Sequence, residues 1–392
     1  MTNRNGPATI RDVALRAGVS TATVSRVLAG IGRPRPATAA TVMSAVEALG
    51  YRPSGVARSL RMRHTRTLGL IVTDIQNPFF PELVQAADQA ARSLGYSILL
   101  GSAAYDEQRA MHYLDLMVDR RVDGIVVASS QISEGARRWL LASPVPVVVV
   151  NAEPADLPVT VISSDNVGGM RLATAHLVQL GHRRIAYVRG APSFSADVPR
   201  LEGFRLACRD AGLPVADTPE IAGDGQPEGG ERAVAELLGG EQRVTAIACY
   251  NDMTAIGVLR ALRAAGVSVP PGVSVVGCDD IAAASWIVPS LTTVAQQKAE
   301  MGRLAVERLA ATLDDPDSPS PPAVVRLPME LRVRESSGPV PVGAGPGTGP
   351  RSTSSVRQRT HPPTTRGSKA ASPSSRPAKP SIGRGTRGTG IL

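Results

Sequence analysis

Two different hydrophobic patterns divide the chain near residue 66. Before that point apolar residues recur every three to four positions, as they do on one face of a helix. The first such stripe comprises Ile10, Val13, Ala14 and Ala17. Beyond Thr67 the apolar residues form short continuous runs separated by helical segments, which is typical of a parallel sheet covered by helices on both faces. The pattern predicts a small all-α module followed by a larger α/β module.

The first module contains the start and stop signals of three short helices. Thr9 and Asp12 are spaced as in a capping box, which predicts a helix start. Gly18 supplies a turn, and Ser20 is the expected N-cap of a second helix. A third helix is predicted at about 38–49, where a glycine follows. Two short helices joined by a turn and braced by a third form a helix-turn-helix, although a helix pair alone fits any small bundle equally well.

The second helix of such a unit lies in the major groove, and its first residues reach base edges. Arg26 carries a planar donor fork that matches guanine O6 and N7, whereas Ala22 is too short for a bidentate contact. The other small residues can approach closely and bond phosphate or bases. The expected DNA-contacting residues of this helix are Ser20, Thr21, Ala22, Thr23, Ser25 and Arg26.

Charge supports contact with nucleic acid, because it is unevenly distributed. Residues 1–66 hold 11 Arg and 2 acidic residues, a net charge of +9. Residues 67–335 carry a net −9, and residues 336–392 carry +9 without any acidic residue. A basic segment attached to an acidic globule is the electrostatic footprint of a module that meets phosphate. The stretch 339–392 is rich in Gly, Pro, Ser, Thr and Arg, so we expect a disordered basic tail there.

The α/β module contains two successive sets of apolar runs, which predicts two lobes with a cleft between them. Ligands of open α/β sheets bind beyond the carboxyl ends of the strands. The polar residues at those ends are candidates for binding a hydroxyl-rich ligand. They are Asp74, Asn77, Asn151, Asn251, Asp252, Asp279 and Asp280. Each of them, taken alone, could equally make a turn or cap a helix.

At this point the sequence resembles the lactose-repressor (LacI/GalR) family over about residues 8–335. Five stretches of the first module and its exit carry the resemblance: 9–14, 17–20, 23–28, 49–53 and 56–60. Five further stretches, which match the effector-pocket motifs of that family, extend it: 74–80, 200–204, 250–252, 277–280 and 289–294.

The resemblance implies a domain order and a DNA-binding set. It divides the chain into a helix-turn-helix domain (1–50), a hinge helix with linker (51–66) and a two-lobed, periplasmic-binding-protein-like effector and dimerisation domain (67–338). In that family two hinge helices of a dimer enter the minor groove, where Leu60 would be the wedge. The DNA-contacting set then also includes Thr9, Tyr51, Val56, Ala57, Arg58 and Leu60.

The resemblance also assigns an effector pocket. Arg200, Asn251 and Asp279 would hold polar groups of the effector, and Asn151 and Gln296 would occupy further pocket positions. Phe79 and Phe80 would pack on it, beside Asp74 and Asn77. One departure is that no aromatic residue stands near 224–226, so the effector would be smaller or Trp286 would stack on it. The implied first lobe spans about 67–165 and 296–325, and the second about 166–295 and 326–338, with a hinge of three crossovers.

Three functions fit parts of this pattern. The first is a sequence-specific repressor that binds a palindromic operator as a homodimer under control of a sugar or sugar derivative. The second, a sugar-binding transport protein, predicts a secretory leader and no helix-turn-helix. The third, a nicotinamide-dependent enzyme, predicts a glycine-rich turn after the first strand, where 72–77 has no glycine. We therefore expect a cytoplasmic DNA-binding regulator that is not an enzyme and has no cofactor, metal or membrane segment.

Overall fold

The computed structural model describes residues 8–29, 32, 34–51, 64–153, 157, 159–240, 243–315 and 322–340. The expected hinge helix, with Val56, Ala57, Arg58 and Leu60, lies outside these residues, as does the expected tail beyond residue 340. Within the described residues no helix is long and apolar enough to cross a membrane.

The headpiece consists of α1 (Ile10–Ala17), α2 (Thr21–Ala29) and α3 (Pro36–Ala48). The capping box at Thr9 is confirmed, since the Thr9 side chain accepts a hydrogen bond from the Asp12 N–H and the Asp12 carboxylate accepts one from the Thr9 N–H. α3 begins two residues earlier than predicted, because a proline at the first helical position is already preset for helix. The buried faces of the three helices share one core, formed by Val13, Ala14, Ala17, Val24, Val42 and Ala45.

The first lobe is built on a six-stranded parallel sheet with the order β11-β5-β4-β3-β1-β2. Its strands are β1 (Thr67–Val72), β2 (Ser97–Ser102), β3 (Gly124–Ala128), β4 (Val147–Val150), β5 (Thr160–Ser164) and β11 (Val324–Leu327). Its helices are α4 (Phe79–Ser93), α5 (Glu107–Asp119), α6 (Glu134–Leu141) and α11 (Lys298–Asp314). β1, β3 and β4 are buried almost throughout, as continuous apolar runs predict.

The second lobe repeats this architecture with the strand order β12-β10-β9-β8-β6-β7, in which only β12 is antiparallel. Its strands are β6 (Ile185–Val188), β7 (Glu220–Ile221), β8 (Ala246–Cys249), β9 (Ser274–Asp279), β10 (Thr292–Ala295) and β12 (Glu330–Arg332). Its helices are α7 (Asn166–Gln179), α8 (Asp197–Asp210), α9 (Pro227–Gly239) and α10 (Asp252–Ala264). The two lobes confirm the expected fold class.

Three crossovers join the lobes. The first, at Asp165, leads from β5 into α7, and the second, at Gln296, leads from β10 into α11. The third lies between Leu327 and Glu330, a few residues beyond the expected position near Val325. Val325 itself pairs with Ile162 in the first-lobe sheet, so the first lobe extends through Leu327.

A buried histidine fixes the segment that follows β12 to the second lobe. His182 is 1% exposed, and its Nδ1 lies 2.9 Å from the Thr245 hydroxyl. Its Nε2 lies 3.0 Å from the carbonyl oxygen of Gly338. Burial lowers the pKa of His182, and burial also lowers the pKa of His176, whose Nε2 lies 2.9 Å from the Ser337 hydroxyl. Folding therefore favours the neutral form of both rings.

We expect this pair to make stability fall in mild acid. A histidine whose pKa is lower in the folded state contributes stability that is present above its unfolded pKa of 6.5 and is lost as the pH falls below it. Urea unfolding between about pH 7.5 and about pH 5.5 measures the effect. Asp252 contributes with the opposite sign, because burial raises its pKa to about 7.

The comparison of variants isolates the histidine contribution. His182→Gln should unfold with a smaller loss of stability on acidification than the unmodified chain. His112→Gln, at an exposed position, is the matched control and should retain the full loss. Equal losses in all three proteins would show that the buried ring is not the titrating group.

Candidate functional site

A cleft between the lobes opens at the carboxyl ends of the strands and encloses about 380 Å³ that is open at its mouth. Eight of the nine expected effector residues line it, namely Asn77, Phe79, Phe80, Asn151, Arg200, Asn251, Asp279 and Gln296. Five further residues were not predicted as site residues: Tyr105, Ser130, Phe194, Ala196 and Tyr250.

Arg200 is the centre of a buried polar network at the base of the cleft. It is 3% exposed, and its Nη2 donates to Asp279 Oδ1 at 3.3 Å. Its Nη1 donates to the carbonyl oxygen of Tyr250 at 2.6 Å, and its Nε donates to Asn166 Oδ1 at 2.8 Å. The guanidinium also lies 4.7 Å from the centre of the Tyr250 ring, a cation–π distance. The arginine is thus fixed before any ligand binds.

Asp279 lies at the end of β9 and is linked by hydrogen bonds to residues near the first and second crossovers. Gln296 Nε2 donates to Asp279 Oδ1 at 2.6 Å, and Ser164, at the end of β5, donates to Gln296 Oε1 at 2.7 Å. Burial raises the pKa of Asp279, while Arg200 opposes that rise by favouring the carboxylate. A carboxylate paired with one arginine and one amide is a directional acceptor for ligand hydroxyls.

Some site residues have left-handed backbone conformations. Asn151 has φ 63°, Asp279 has φ 130° and Asp280 has φ 53°. Asparagine and aspartate tolerate positive φ better than other residues with a Cβ atom, and such strain is concentrated at functional sites. The chain turns sharply at these strand ends, where Asn151 and Asp279 line the cleft and the Asp280 carboxylate instead accepts from Arg334.

Asn77 and Asn251 combine a local structural role with a position in the cleft. Asn251 is the N-cap of α10, where its Oδ1 accepts from the Thr254 N–H at 2.8 Å, and its Nδ2 donates to Gly225 O at 3.0 Å. Asn77 Oδ1 accepts from the Phe79 N–H at 3.0 Å at the start of α4. Both asparagines therefore make local hydrogen bonds and also line the cleft.

Asp74 and Trp286 do not occupy the positions expected of them. Asp74 Oδ1 accepts from the Gln76 N–H at 3.0 Å within a turn, and Asp74 is not among the residues lining the cleft. The turn interpretation is therefore the correct one for Asp74. Trp286 lies outside the cleft and is 76% exposed, so the expectation that it stacks on the effector is wrong.

Aromatic rings from both lobes line the cleft instead. Tyr105, three residues after β2, stacks on Phe194 of the second lobe with ring centres 5.8 Å apart. Phe194 packs in turn on Tyr250 at 5.7 Å. The ring that the sequence lacks near 224–226 is thus replaced by rings from two loops. The signal for Tyr105 was its place just beyond a strand end, the same criterion that identified Asn77.

Direct contacts join the two lobes across the mouth of the cleft. The Ser195 N–H donates to the Ser130 carbonyl oxygen at 2.8 Å. The Gln226 side chain of the second lobe donates to the Tyr105 hydroxyl at 3.0 Å. The described arrangement is therefore a closed one, in which the rings and polar groups of both lobes face a common space.

The expected DNA-binding residues form an exposed edge of the headpiece. Thr9, Ser20, Thr21, Ala22 and Arg26 are exposed, and Thr23 and Tyr51 are partly buried. The Ser20 hydroxyl accepts from the Thr23 N–H at 3.1 Å, which confirms Ser20 as the cap of α2. Ser25 differs from its neighbours, since it is only 8% exposed and offers little surface to DNA.

Comparison with protein families matches both modules. Residues 9–54 match the family described as bacterial regulatory proteins, lacI family, and residues 174–337 match the periplasmic binding protein-like domain. The chain is 38% identical over 310 residues to the ribose operon repressor of Escherichia coli K12, across 79% of this chain and 94% of that protein. It is 36% identical over 333 residues to the transcriptional repressor PurR of Glaesserella parasuis, across 84% and 98% respectively.

Solved structures give the same result. The lac repressor dimer bound to operator and the anti-inducer ONPF superposes with a TM-score of 0.76 at 27% identity, across 85% of this chain and all of that one. A LacI family regulator from Enterococcus faecium with bound ribose has a TM-score of 0.64 at 29% identity, across 70% and 100%. The first of these similarities spans the headpiece as well as the two lobes.

Proposed function

The chain belongs to the LacI family of bacterial regulatory proteins and is a DNA-binding transcriptional repressor with an effector domain, and we propose that a pentose of the ribose type is its effector. The repressor acts as a homodimer on a palindromic operator in the cytoplasm and binds its effector without chemical turnover. Effector binding changes the arrangement of the two lobes and thereby the affinity for operator DNA, which is a coupling between two sites.

The observation that carries the effector proposal is the buried Arg200–Asp279–Gln296 network, flanked by Asn151 and Asn251 at the strand ends of both lobes. Charged and amide groups in this arrangement accept from and donate to adjacent hydroxyls. The Phe79, Phe80 and Phe194 rings supply apolar faces for the C–H side of a sugar ring. Both features favour a small polyol.

Ribose is the first candidate for two reasons. The ribose operon repressor is 38% identical to this chain, and a ribose-bound regulator shares its fold. The Tyr105 ring also lines the cleft, and its hydroxyl accepts from Gln226 of the other lobe at 3.0 Å, which favours a small ligand. A nucleoside is the second candidate, because its ribose moiety has the same hydroxyl pattern and its base could stack on an aromatic ring.

For DNA we propose that Arg26 reads a guanine and that Ser20, Thr21, Ala22 and Thr23 lie along the groove. The exposure of Ser20, Thr21, Ala22 and Arg26 supports this, and the low exposure of Ser25 makes it the weakest member of the set. The proposed hinge contacts of Tyr51, Val56, Ala57, Arg58 and Leu60 rest on the family resemblance.

Calorimetric titration of the full chain with D-ribose, adenosine and cellobiose tests the effector proposal. We expect saturable binding of ribose and weaker or absent binding of the two larger ligands. Binding of adenosine but not ribose would transfer the proposal to nucleosides. Binding of none of the three, in a protein that still binds DNA, would refute it.

Tyr105→Ala should weaken ribose binding and relax its selectivity. Loss of one aromatic contact costs about 1 kcal/mol beyond the lost area, so we expect ribose Kd to rise roughly five- to tenfold. Tyr105→Phe keeps the ring and loses only the hydroxyl that accepts from Gln226, so it is the matched comparison and should raise the ribose Kd less than Tyr105→Ala does. The same titrations measure both variants, and a Tyr105→Ala protein with unchanged ribose Kd would contradict the role of this ring.

A further inference from the structure

Lys298 is a buried cation outside the cleft lining. It is the first residue of α11, immediately after the second crossover, and its side chain is only 4% exposed. Its Nζ lies 2.8 Å from the carbonyl oxygen of Asp279 and 2.9 Å from that of Asp280. A third acceptor, Glu82 Oε2, lies 3.3 Å away. The three donors of the ammonium group thus face three oxygens, which is the condition for burying such a charge.

The two carbonyl groups belong to the strained end of β9. Asp279 and Asp280 both have positive φ, and such conformations persist only where the surroundings hold them. Asp279 is also the residue whose carboxylate binds Arg200 and Gln296 in the cleft. The Lys298 ammonium therefore binds the backbone of the aspartate whose carboxylate lines the cleft.

The third acceptor connects this point to the first lobe. Glu82 lies in the first turn of α4, the helix that begins with the pocket residues Phe79 and Phe80. α4 packs closely on α11 at Gly302, which has no side chain. A Cβ atom at this position would lie 2.2 Å from the Leu83 carbonyl oxygen of α4. The Lys298 ammonium thus lies between the Asp279 and Asp280 carbonyl groups and the first turn of α4.

We propose that Lys298 is a positioning residue that fixes the Asp279–Asp280 backbone for effector binding and, through Glu82, couples the pocket to helix α4 of the first lobe. The coupling part rests on the proposed function. The positioning part concerns the free protein alone. The positioning part makes a prediction about the Asp279–Asp280 backbone, and the coupling part makes a prediction about Glu82.

The positioning part is tested without any ligand by hydrogen–deuterium exchange on the full chain. Lys298→Met keeps the length of the side chain and removes its charge. We expect faster exchange in residues 279–282 than in the unmodified protein, because local opening is no longer opposed there. Arg303→Met removes an exposed arginine from the same helix, whose partners are Glu300 and Glu307, and is the matched control. Equal exchange in this segment for Lys298→Met and the control overturns the inference.

The coupling part is tested by operator affinity with and without D-ribose. We expect Glu82→Gln to bind ribose with a Kd within about twofold of the unmodified chain but to reduce the ribose-induced change in operator affinity by about fivefold or more, since a typical allosteric coupling spans about 5- to 150-fold. A Glu82→Gln protein with normal ribose binding and a normal operator response overturns the coupling. An unmodified chain that does not bind ribose refutes the proposed effector instead, and the exchange experiment then decides on Lys298.

Discussion

Arg200→Met should abolish the effector response and destabilise the second lobe. The substitution removes the cation from a network that is 3% exposed and leaves the Asp279 carboxylate without its charge partner. Removing one partner of a buried pair typically costs about 3–5 kcal/mol. Protonation of Asp279, whose pKa burial already raises, relieves part of this cost, so we expect about 3 kcal/mol in urea unfolding near neutral pH.

Arg205→Met is the matched control for this prediction. It lies on the same helix, α8, and its salt bridge with Glu220 is exposed, with 51% of the arginine side chain accessible. Exposed pairs contribute at most about 1 kcal/mol. Ribose binding should be lost in Arg200→Met and retained in Arg205→Met, as measured by calorimetry. Normal ribose binding by a folded Arg200→Met protein would show that the pocket assignment is wrong.

Arg26→Ala should weaken operator binding without changing the effector site. A bidentate arginine–guanine contact provides about 1–3 kcal/mol of discrimination, so specific affinity should fall by roughly 5- to 150-fold. In the described structure Arg26 is exposed on α2 and its Nε lies 3.5 Å from the Ala22 carbonyl oxygen, so its removal leaves no buried group unpaired. We expect an unchanged unfolding transition and unchanged ribose binding.

Competition with a scrambled duplex distinguishes this effect from a general loss of charge. Arg16→Ala, in the last turn of α1, removes the same charge from an exposed position of the headpiece. It should weaken binding to operator and scrambled duplex alike, whereas Arg26→Ala should weaken operator binding selectively. Equal losses of specificity in the two variants would remove Arg26 from base recognition.

Polar residues at the predicted strand ends were taken as cleft candidates, and this identified much of the lining because the fold fixes where the strand ends lie. Parallel strands end at the same edge of a sheet, so the polar residues at the ends of β8 and β9 lie together, and Asn151 at the end of β4 joins them because the carboxyl edges of the two sheets face one cleft. Asn151, Asn251 and Asp279 were found in this way. Arg200 lies within a helix, and Gln296 follows β10, which was not identified as an apolar run. Both residues were predicted from the family resemblance.

The same criterion could not separate ligand-facing residues from turn residues. Asp74 and Asn77 follow the same strand and each accepts a hydrogen bond from the backbone two residues on, yet only Asn77 lines the cleft. Tyr105 and Phe194 were missed because only acidic and amide side chains were taken as candidates at the strand ends, although Tyr105 lies nearer to the end of its strand than Asn77 does. Trp286 was misplaced because an aromatic side chain carries no sequence signal for the face on which it lies.

The third crossover was predicted at the wrong position because the strands near the hinge are short and partly polar. β10 begins with two threonines and β11 contains Arg326, so neither forms the continuous apolar run that identified β1 or β4. The third crossover was therefore expected near Val325, inside β11, rather than after Leu327. Only the pairing of β11 with β5 and of β12 with β10 fixes this boundary, and such pairing is a property of the tertiary structure.

The most direct test of the account is the affinity of the full-length repressor for its own operator, measured with and without D-ribose. The duplex is selected by the protein from a random pool, and fluorescence anisotropy reports its Kd. We predict a palindromic site bound by a dimer, with a ribose-dependent change in Kd of about fivefold or more that Arg200→Met eliminates. A Kd that is identical at every ribose concentration, in a protein that binds ribose, would contradict the central claim that the cleft controls the headpiece.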